Sequence, residues 1–484
     1  MMNVLLITLD QFRADMVLHD LVATPALDRL RAVGVHFARH FAQAAPCSPG
    51  RASLYTGMYQ ANHRVVGNGS PLDDRFDNVA RLARRAGLVP TLFGYTDQGV
   101  DPRTVADPSD WRLEEYSGIL PGFELGLWMP ESQVPWLDWL EQLGHGTFPD
   151  YVAALASEPQ RPAEHSLSTF VTDGFLSWQR QQSEPWFAHL SLLRPHPPYA
   201  AAGDFATMYD PADVGDALAP ADPGDRHHLH ELTMGLDVCS APATEEGRRE
   251  MRAQYFGMVS EVDAQLGRVL DQLERSGQME QTMIILTSDH GEQLGDHGLR
   301  EKLGFFPESY AIGCIVHDPR HPEAHGTTVE HFTENVDILP TIAAALGIDI
   351  PAQVDGMPLQ PFLEGQEPTM WRTAAHWEWD WRAMVLGFLA PGWPLDRRLE
   401  QMNLAVLCDD EGAYVHFGDG TWLLFDLVAD PTWRTTTKDP ARVLTYAQAM
   451  LGWRQEHLER TLTDLLLEPG RPGRWPEIGS AIPR

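Results

Sequence analysis

Three possible metal ligands follow two apolar segments of the sequence. The apolar run 3–9 ends in Asp10, and the run 282–288 is followed by Asp289 and His290. Because a parallel sheet presents ligands at the carboxyl ends of its strands, neighbouring strands would bring these side chains together. Carboxylates with one imidazole suit a divalent cation such as Mn, Ca, Mg or Zn. Either Asp alone is more typical of a helix cap or a turn, but the surrounding "SDHGE" favours a metal site.

A cysteine stands in the segment "PCSPGRASLYTG", residues 46–57, with no second Cys or nearby His to form a zinc pair or a catalytic dyad. Pro49 and the small residues after it can open a helix, whose first N–H groups stabilise an anion. We expect Cys47 just before that helix. Arg51, one turn further on, can reach the same anion with its planar guanidinium. The ordinary alternative is a buried, unreactive cysteine in a helix-entry turn.

Apolar runs alternate with helical patterns along most of the chain. Buried strands are predicted at 3–9, 90–96, 185–193 and 282–288, and helices at 24–34, 78–87, 245–277 and 336–347. This alternation predicts an α/β fold with a large, mostly parallel sheet flanked by helices. The irregular segments 98–180 and 195–245 are typical of loops that cover a functional site.

The sequence changes in character after about residue 365. The segments "LAVLCDD" and "YVHFGDGTWLLFDL" predict antiparallel strands joined by a "GDG" turn, and a terminal helix is predicted over 446–468. We therefore expect a catalytic domain over 1–365 and a smaller C-terminal α+β subdomain over 366–484.

The composition excludes several classes of partner and location. Lys and Arg number 36 and Asp and Glu number 68, so the net charge is −32. This charge opposes binding to nucleic acid and to anionic membranes. The four cysteines lie far apart without a CxxC pair, the N-terminal apolar run lacks a basic flank, and no apolar run reaches about 18 residues. We expect a cytoplasmic protein without a transmembrane helix.

The pattern formed by Cys47, Pro49, Arg51, Thr56 and Gly57 resembles the signature of the sulfatases and related phosphonate monoester hydrolases of the alkaline phosphatase superfamily. Other segments are similar to phosphonate monoester hydrolases as well: "LLITLDQFRAD", "GNGSPLD", "LFGYTD", "LRPHPPY" and "TSDHGEQLGDHGLREKLG". The resemblance implies an alkaline phosphatase-like fold. It also implies that the cysteine is oxidised to formylglycine (3-oxoalanine), whose hydrate is the nucleophile.

The resemblance further implies the role of each site residue. One divalent metal ion (Mn, Ca or Zn) would be held by Asp10, Gln11, Cys47, Asp289 and His290. Arg51 and Lys302 would stabilise the charged oxygens of the transferred group, and His196 would act as the acid for the leaving group or as the base that regenerates the aldehyde. Asn68 and Tyr95 would line the substrate, although Asn68 equally suits a turn cap and Tyr95 suits simple packing.

Three positions bear on the substrate. Gln11 stands where many sulfatases have a second Asp, and Gly50 stands where the usual sulfatase motif has Ser, so both favour the phosphonate and phosphodiester branch. Asp97 stands where we expect a hydroxyl residue in relatives, and a carboxylate there would repel an anionic substrate unless it faced away.

These features predict a metal-dependent hydrolase of phosphonate monoesters and phosphodiesters with promiscuity toward sulfate esters. The substrate would be a small anionic ester, a formylglycine-generating enzyme would mature the chain, and relatives suggest a homo-oligomer, dimeric or tetrameric. An arylsulfatase or alkyl sulfatase with the same nucleophile is the alternative. A non-catalytic binding protein on this fold, or a phosphoglycerate mutase-like isomerase with a Ser or Thr nucleophile, would instead keep Cys47 unmodified.

Overall fold

The central feature of the fold is a mixed eight-stranded sheet. A computed structural model describes residues 2–183, 185–382, 401–458 and 470. The sheet has the strand order β10-β2-β9-β8-β1-β7-β5-β6, and its strands are β1 (Asn3–Leu9), β2 (Val35–Phe37), β5 (Pro90–Gly94), β6 (Glu124–Trp128), β7 (Phe187–Leu192), β8 (Thr282–Thr287), β9 (Ile315–His317) and β10 (Thr327–Val329). β1 is parallel to both of its neighbours, β7 and β8, whereas β9 is antiparallel to β8 and to β2.

Helices cover both faces of this sheet. The four-turn and longer helices are α7 (Leu167–Gln179), α9 (Glu245–Arg275) and α12 (Pro440–Glu456). The shorter ones are α1 (Pro25–Ala32), α2 (Cys47–Thr56), α3 (Gln60–His63), α4 (Val79–Arg85), α5 (Val134–Gln142), α6 (Tyr151–Ala156), α8 (His228–Met234), α10 (Ile338–Leu346) and α11 (Gln360–Leu363). Every residue of β1 is buried, as a strand between two helical layers requires.

A second sheet of five strands lies beside the first. Its order is β15-β14-β13-β12-β4, formed by β4 (Ala44–Ala45), β12 (Ala375–Asp380), β13 (Asn403–Cys408), β14 (Gly412–Phe417) and β15 (Trp422–Asp426). β13, β14 and β15 are antiparallel, as predicted, and β12, which lies outside the segments predicted as antiparallel strands, pairs antiparallel with β13. β4 comes from the segment that leads into α2 and pairs in parallel with β12. Two short strands, β3 (His40–Phe41) and β11 (Thr333–Glu334), form a further parallel pair.

The predicted elements are found, with shifted ends. The fold class, a large sheet with helices on both faces and a smaller antiparallel sheet near the C-terminus, is confirmed. The main correction concerns the segments expected to be irregular: 98–180 holds β6, α5, α6 and α7, and 195–245 holds α8. The terminal helix begins at Pro440, not 446, because Asp439 caps it and Pro440 occupies its first position, and it ends at Glu456. Residues 459–468 of that prediction lie outside the described part.

Among the described residues, none of the helices has the length and apolar character that a bilayer span requires.

Candidate active site

Two parallel strands deliver the predicted metal ligands to one place. β1 and β8 are hydrogen-bonded neighbours, and Thr8 pairs with Thr287 in their register. Asp10, Asp289 and His290 follow directly, and their ligand atoms lie within 4.8 Å of one another and of the Cys47 sulfur. We call Asp10, Cys47, Asp289 and His290 the metal-ligand cluster. The structure therefore brings the residues predicted from the strand ends together with Cys47.

Helix α2 brings Cys47 to this cluster. Cys47 is the first residue of the helix, whereas the sequence placed it just before the helix. Its Sγ lies 3.3 Å from the Nε2 of His290, and the side chain is buried. Gly50 makes this approach possible, because a Cβ at that position would lie only 2.3 Å from the carbonyl oxygen of Asp289. The missing side chain at Gly50 thus sets how close the helix lies to the metal loop.

The donor atoms of the cluster suit a divalent cation. Oδ1 of Asp10 is buried and has no hydrogen-bond partner, which is costly for a carboxylate unless a cation lies beside it. Nδ1 of His290 donates to the carbonyl oxygen of Gly291, so Nε2 keeps its lone pair. That nitrogen is 3.8 Å from Oδ1 of Asp10 and 3.8 Å from Oδ2 of Asp289. The residues present therefore fit the metal ion that the resemblance implies.

The guanidinium of Arg51 donates hydrogen bonds to protein groups and does not face an open pocket. Its side chain is fully buried; Nε donates to Oδ2 of Asp289 at 2.9 Å, and a terminal nitrogen donates to Oδ2 of Asp10 at 3.2 Å. The other terminal nitrogen donates to the hydroxyl of Ser191 at 2.8 Å and faces the carbonyl of Tyr95 at 3.3 Å. This differs from the predicted contact with substrate oxygens, because a buried guanidinium must satisfy its donors locally. Arg51 orients the metal-ligand carboxylates.

Gln11 connects the metal-ligand cluster to Lys302, the predicted catalytic cation. Its backbone N–H donates to Oδ1 of Asp289 at 3.2 Å, and its Nε2 donates to the carboxylate of Glu292. That contact directs the amide oxygen toward Lys302, whose Nζ donates to it at 2.9 Å. Nζ also lies 2.7 Å from Nε2 of His196, so the predicted residues Gln11, Lys302 and His196 form one chain of contacts.

The hydrogen bonds of the Gln11–Lys302–His196 series indicate which of its atoms carry protons. Nδ1 of His196 donates to the carbonyl oxygen of Pro197 at 2.8 Å, which leaves Nε2 as the acceptor for Lys302. Burial, followed by the charge of Lys302, lowers the pKa of His196. Burial would lower the pKa of Lys302 too, but Cys47, Glu301 and Asp10 raise it above its ordinary value. A charged lysine therefore faces a neutral histidine.

The thiol of Cys47 is poorly suited to act as a nucleophile itself. Burial, and after it the carboxylate of Asp10, raises the pKa of Cys47 well above its ordinary value. The thiolate is the reactive form of cysteine, so a raised pKa disfavours cysteine catalysis. This agrees with a group other than the thiol doing the chemistry at position 47.

The two predicted substrate contacts are placed differently. Asn68 is exposed, and its side-chain oxygen accepts the backbone N–H of Ser48 at 3.0 Å in the first turn of α2. Tyr95 is buried, its hydroxyl donates to Oδ2 of Asp10, and its ring lies 4.3 Å below the guanidinium of Arg51. Asn68 thus caps the first turn of α2, and Tyr95 bonds to a predicted metal ligand and lies against Arg51.

Sequence reasoning missed several residues of the site. Glu292 stands inside the quoted "SDHGEQ" segment and is fully buried, so an acidic residue next to a metal motif was a usable signal. Gln98, which donates to the carbonyl of Ser48 at 2.8 Å, and Ser191 gave no sequence signal. Asp97 faces the site, with Oδ2 3.6 Å from Nε of Arg51, so it does not face away.

The chain is similar to known proteins over nearly its whole length. A family model described as Sulfatase matches residues 2–348. The chain is 37% identical to the multifunctional alkaline phosphatase superfamily protein PehA of Trinickia caryophylli, over 96% of this chain and 98% of that protein. It is 26% identical to a choline-sulfatase of Rhizobium meliloti, over 98% of this chain and 90% of that protein.

Two solved structures of phosphonate monoester hydrolases are also similar to this chain. The phosphonate monoester hydrolase of Agrobacterium radiobacter is 40% identical and superposes with a TM-score of 0.88, over 98% of this chain and 100% of that chain. The phosphonate monoester hydrolase SpPMH from Silicibacter pomeroyi is 33% identical with a TM-score of 0.87, over 98% and 99% of the two chains.

Proposed function

The chain belongs to the sulfatase family and is a hydrolytic enzyme, and from this premise we propose that it hydrolyses phosphonate monoesters and phosphodiesters. The nucleophile in this proposal is a formylglycine made from Cys47, and one divalent metal ion is held by Asp10, Gln11, Cys47, Asp289 and His290. Sulfate esters are proposed as secondary substrates of the same site.

One observation carries the proposal. Cys47 begins a helix at the point where Asp10, Asp289 and His290 converge, and the Lys302–His196 pair lies beside them through Gln11. A bound divalent ion would supply charge neutralisation and a lowered pKa for the hydroxyl of residue 47. The protein residues then supply the orientation, the positive charge and the proton movements.

Each of these residues has a proposed task. Arg51 holds the carboxylates of Asp10 and Asp289 in position, so that the unpartnered Oδ1 of Asp10 remains available to the metal ion. Lys302 places its ammonium group beside the site and stabilises negative charge on the transferred group. Nε2 of His196, which accepts a hydrogen bond from Lys302 in the resting site, is proposed to take up a proton as the base that regenerates the aldehyde, or to return it to the departing alcohol once it is protonated.

The phosphonate and phosphodiester reaction is preferred over sulfate hydrolysis on two grounds. Gln11 replaces a carboxylate, so the cluster carries one negative charge fewer for a metal ion and a phosphoryl group to balance. The two similar solved structures described above are both titled phosphonate monoester hydrolases. The sulfatase alternative draws on the family model and on the choline-sulfatase relative.

Further parts of the proposal concern maturation and assembly. We propose Mn, Ca or Zn as the metal, a separate formylglycine-generating enzyme for maturation, a homo-oligomeric dimer or tetramer, and a cytoplasmic location. The catalytic unit is proposed to span 1–365 and the C-terminal subdomain 366–484, with β4 (residues 44–45) contributed by the former to the sheet of the latter.

Two measurements test the proposal. Mass spectrometry of the peptide that contains residue 47, from protein co-expressed with a maturation enzyme, should show a loss of about 18 Da. Rates on p-nitrophenyl phenylphosphonate, bis-p-nitrophenyl phosphate and p-nitrophenyl sulfate then rank the substrates, and the first two should be the faster. A modified, metal-loaded protein that hydrolyses none of the three contradicts the function, and a dominant sulfate rate favours the alternative.

A further inference from the structure

The loop that carries His196 has few backbone hydrogen bonds of its own. This loop, residues 193–200, follows β7 and contains three prolines, at positions 195, 197 and 198. Proline has no N–H group to donate. Among the described backbone hydrogen bonds, a single one closes within the loop, from the N–H of His196 to the carbonyl oxygen of Leu193 at 3.0 Å. The other carbonyl groups of the loop therefore depend on donors from elsewhere.

Arg194 supplies donors to three of these carbonyl groups. Its side chain is fully buried, and Nη1 donates to the carbonyl oxygens of His196 at 2.7 Å and of Pro198 at 2.8 Å. Nη2 donates to the carbonyl oxygen of Ala200 at 3.0 Å. One planar guanidinium with five donors thus binds alternate carbonyl groups of the loop in which it stands.

Glu158 fixes this guanidinium from a distant part of the chain. Its Oε2 accepts from Nε of Arg194 at 3.2 Å and from Nη2 at 2.5 Å, and both side chains are buried. Its Oε1 accepts the backbone N–H of Leu167, the first residue of α7, at 3.0 Å. These charge-assisted hydrogen bonds tie the loop to the helical layer beside the sheet.

The position of the His196 imidazole depends on the main chain of this loop. Its Nδ1 donates to the carbonyl oxygen of Pro197, inside the loop, and its Nε2 lies 2.7 Å from Nζ of Lys302. Arg194 bonds to the carbonyl groups on either side of Pro197. Release of those carbonyl groups would therefore move both the imidazole and the acceptor that sets its tautomer.

We infer that Arg194 and Glu158 are positioning residues, which hold the loop so that Nε2 of His196 lies at the active site. This inference rests on the task proposed above for His196. The described hydrogen bonds of Arg194 and Glu158 reach none of the residues of the metal-ligand cluster. Their effect on the rate should therefore pass through the histidine.

A double-mutant cycle tests whether Arg194 acts through His196. In modified, metal-loaded enzyme, Arg194→Met should lower kcat for p-nitrophenyl phenylphosphonate by about 10- to 100-fold and change KM by less than about threefold, because a misplaced proton-transferring group slows the reaction without loss of substrate binding. In the His196→Ala background, itself slower by about 100-fold or more, the same substitution should change kcat by less than about threefold. Metal content and melting temperature show that each variant is folded.

Two further variants keep the test open if Arg194→Met does not fold. Arg194→Met with Glu158→Gln removes both members of the buried charge pair, so no uncompensated charge remains, and it should show the same loss as Arg194→Met. Arg194→Lys keeps the charge but has three donors in place of five, so its kcat should lie between those of the wild type and Arg194→Met. In the His196→Ala background all these variants should be nearly equal.

Arg161→Met is the matched control. Arg161 is also buried and lies close to Glu158 in the sequence, but its described hydrogen bonds go to Ser157 and Ala154 and not to the loop. The kcat of this variant should stay within about twofold of the wild-type value.

The outcomes are distinct. A wild-type kcat in Arg194→Met or in His196→Ala overturns the inference, as does an equal loss in Arg161→Met. An equal loss from Arg194→Met in both backgrounds also overturns it, because the effect would then take another route, such as the bond from Tyr199 to Glu292. In each of these cases the wild-type enzyme still hydrolyses the ester, so the proposed function stands. A modified, metal-loaded wild-type enzyme without activity on phosphonate, phosphodiester and sulfate esters contradicts the proposed function and the inference with it.

Discussion

Two groups of buried charges in this protein differ in how completely their atoms are paired. One is the metal-ligand cluster with Arg51. The other, the structural ion cluster, lies where β11 and α10 meet β12 and consists of Glu334, Asp337, Arg372 and His376.

In the structural ion cluster every carboxylate oxygen has a partner. Oε1 of Glu334 accepts the backbone N–H of His376 at 2.8 Å, and Oε2 accepts the hydroxyl of Tyr59 at 2.6 Å. Both oxygens of Asp337 accept from Arg372, and each also accepts a backbone N–H at 2.8 Å. Such a network satisfies itself and holds the chain together.

In the metal-ligand cluster, by contrast, not every carboxylate oxygen has a hydrogen-bond partner. Oδ1 of Asp10 has no hydrogen-bond partner, and the carboxylates of Asp10 and Asp289 share the guanidinium of Arg51. Complete pairing of buried charges is typical of a structural role, whereas the unpartnered Oδ1 of Asp10 is consistent with the metal site that we propose.

The largest expected effect comes from the cysteine of the metal-ligand cluster. Cys47→Ala should lower kcat/KM by about a thousandfold or more, because it removes the precursor of the nucleophile. Cys314→Ala is the matched control: Cys314 is fully buried in the core, and its replacement should cost about 1 kcal/mol of stability without loss of rate. Steady-state kinetics and urea unfolding measure both, and an active Cys47→Ala enzyme would falsify the mechanism.

Chelation tests the incomplete cluster directly. Removing divalent ions from the wild-type protein should abolish activity and lower the melting temperature, because a cation bound only to the folded state contributes about 2.7 kcal/mol at a concentration 100 times its Kd. Readdition of Mn, Ca or Zn should restore both. If the melting temperature is unchanged while the metal content falls to zero, the cluster does not need a cation for its stability.

Arg372→Met tests the complete cluster. It leaves the carboxylates of Glu334 and Asp337 buried without their cation, so the free energy of unfolding should fall by about 3–5 kcal/mol. The rate per folded molecule should stay near the wild-type value, and chelation should still abolish it. An Arg372→Met enzyme with wild-type stability would show that complete pairing is not what distinguishes the two clusters.

Gly50→Ala should give the smallest effect. The added Cβ would meet the carbonyl oxygen of Asp289 at 2.3 Å, so α2 and the metal loop must separate, at a cost of about 1–3 kcal/mol and about tenfold in kcat/KM. In the control, Gly452→Ala on α12, the new Cβ meets nothing within 4 Å, and stability should rise by up to about 1 kcal/mol. Equal responses of the two variants contradict the close approach at Gly50.

Much of the fold and part of the site could be predicted from the sequence. Apolar runs that end in polar residues marked β1 and β8, and the position of Asp10, Asp289 and His290 after them predicted one shared site, which the structure contains. Local patterns suffice for this, because burial on both faces requires a continuous apolar strand, and parallel strands end at one edge. The motif around Cys47 likewise predicted a helix start beside that edge.

The tertiary structure alone decided which groups each polar side chain of the site contacts. Arg51 orients ligands because Ser191, Asp10 and Asp289, distant along the chain, surround its donors. Residues 44–45 join the C-terminal sheet, and Tyr116 lies against the turn at Gly69, far from it in sequence. Such contacts depend on the packing of segments separated by dozens to hundreds of residues, and the spacing of residues in the sequence carries no information about that packing.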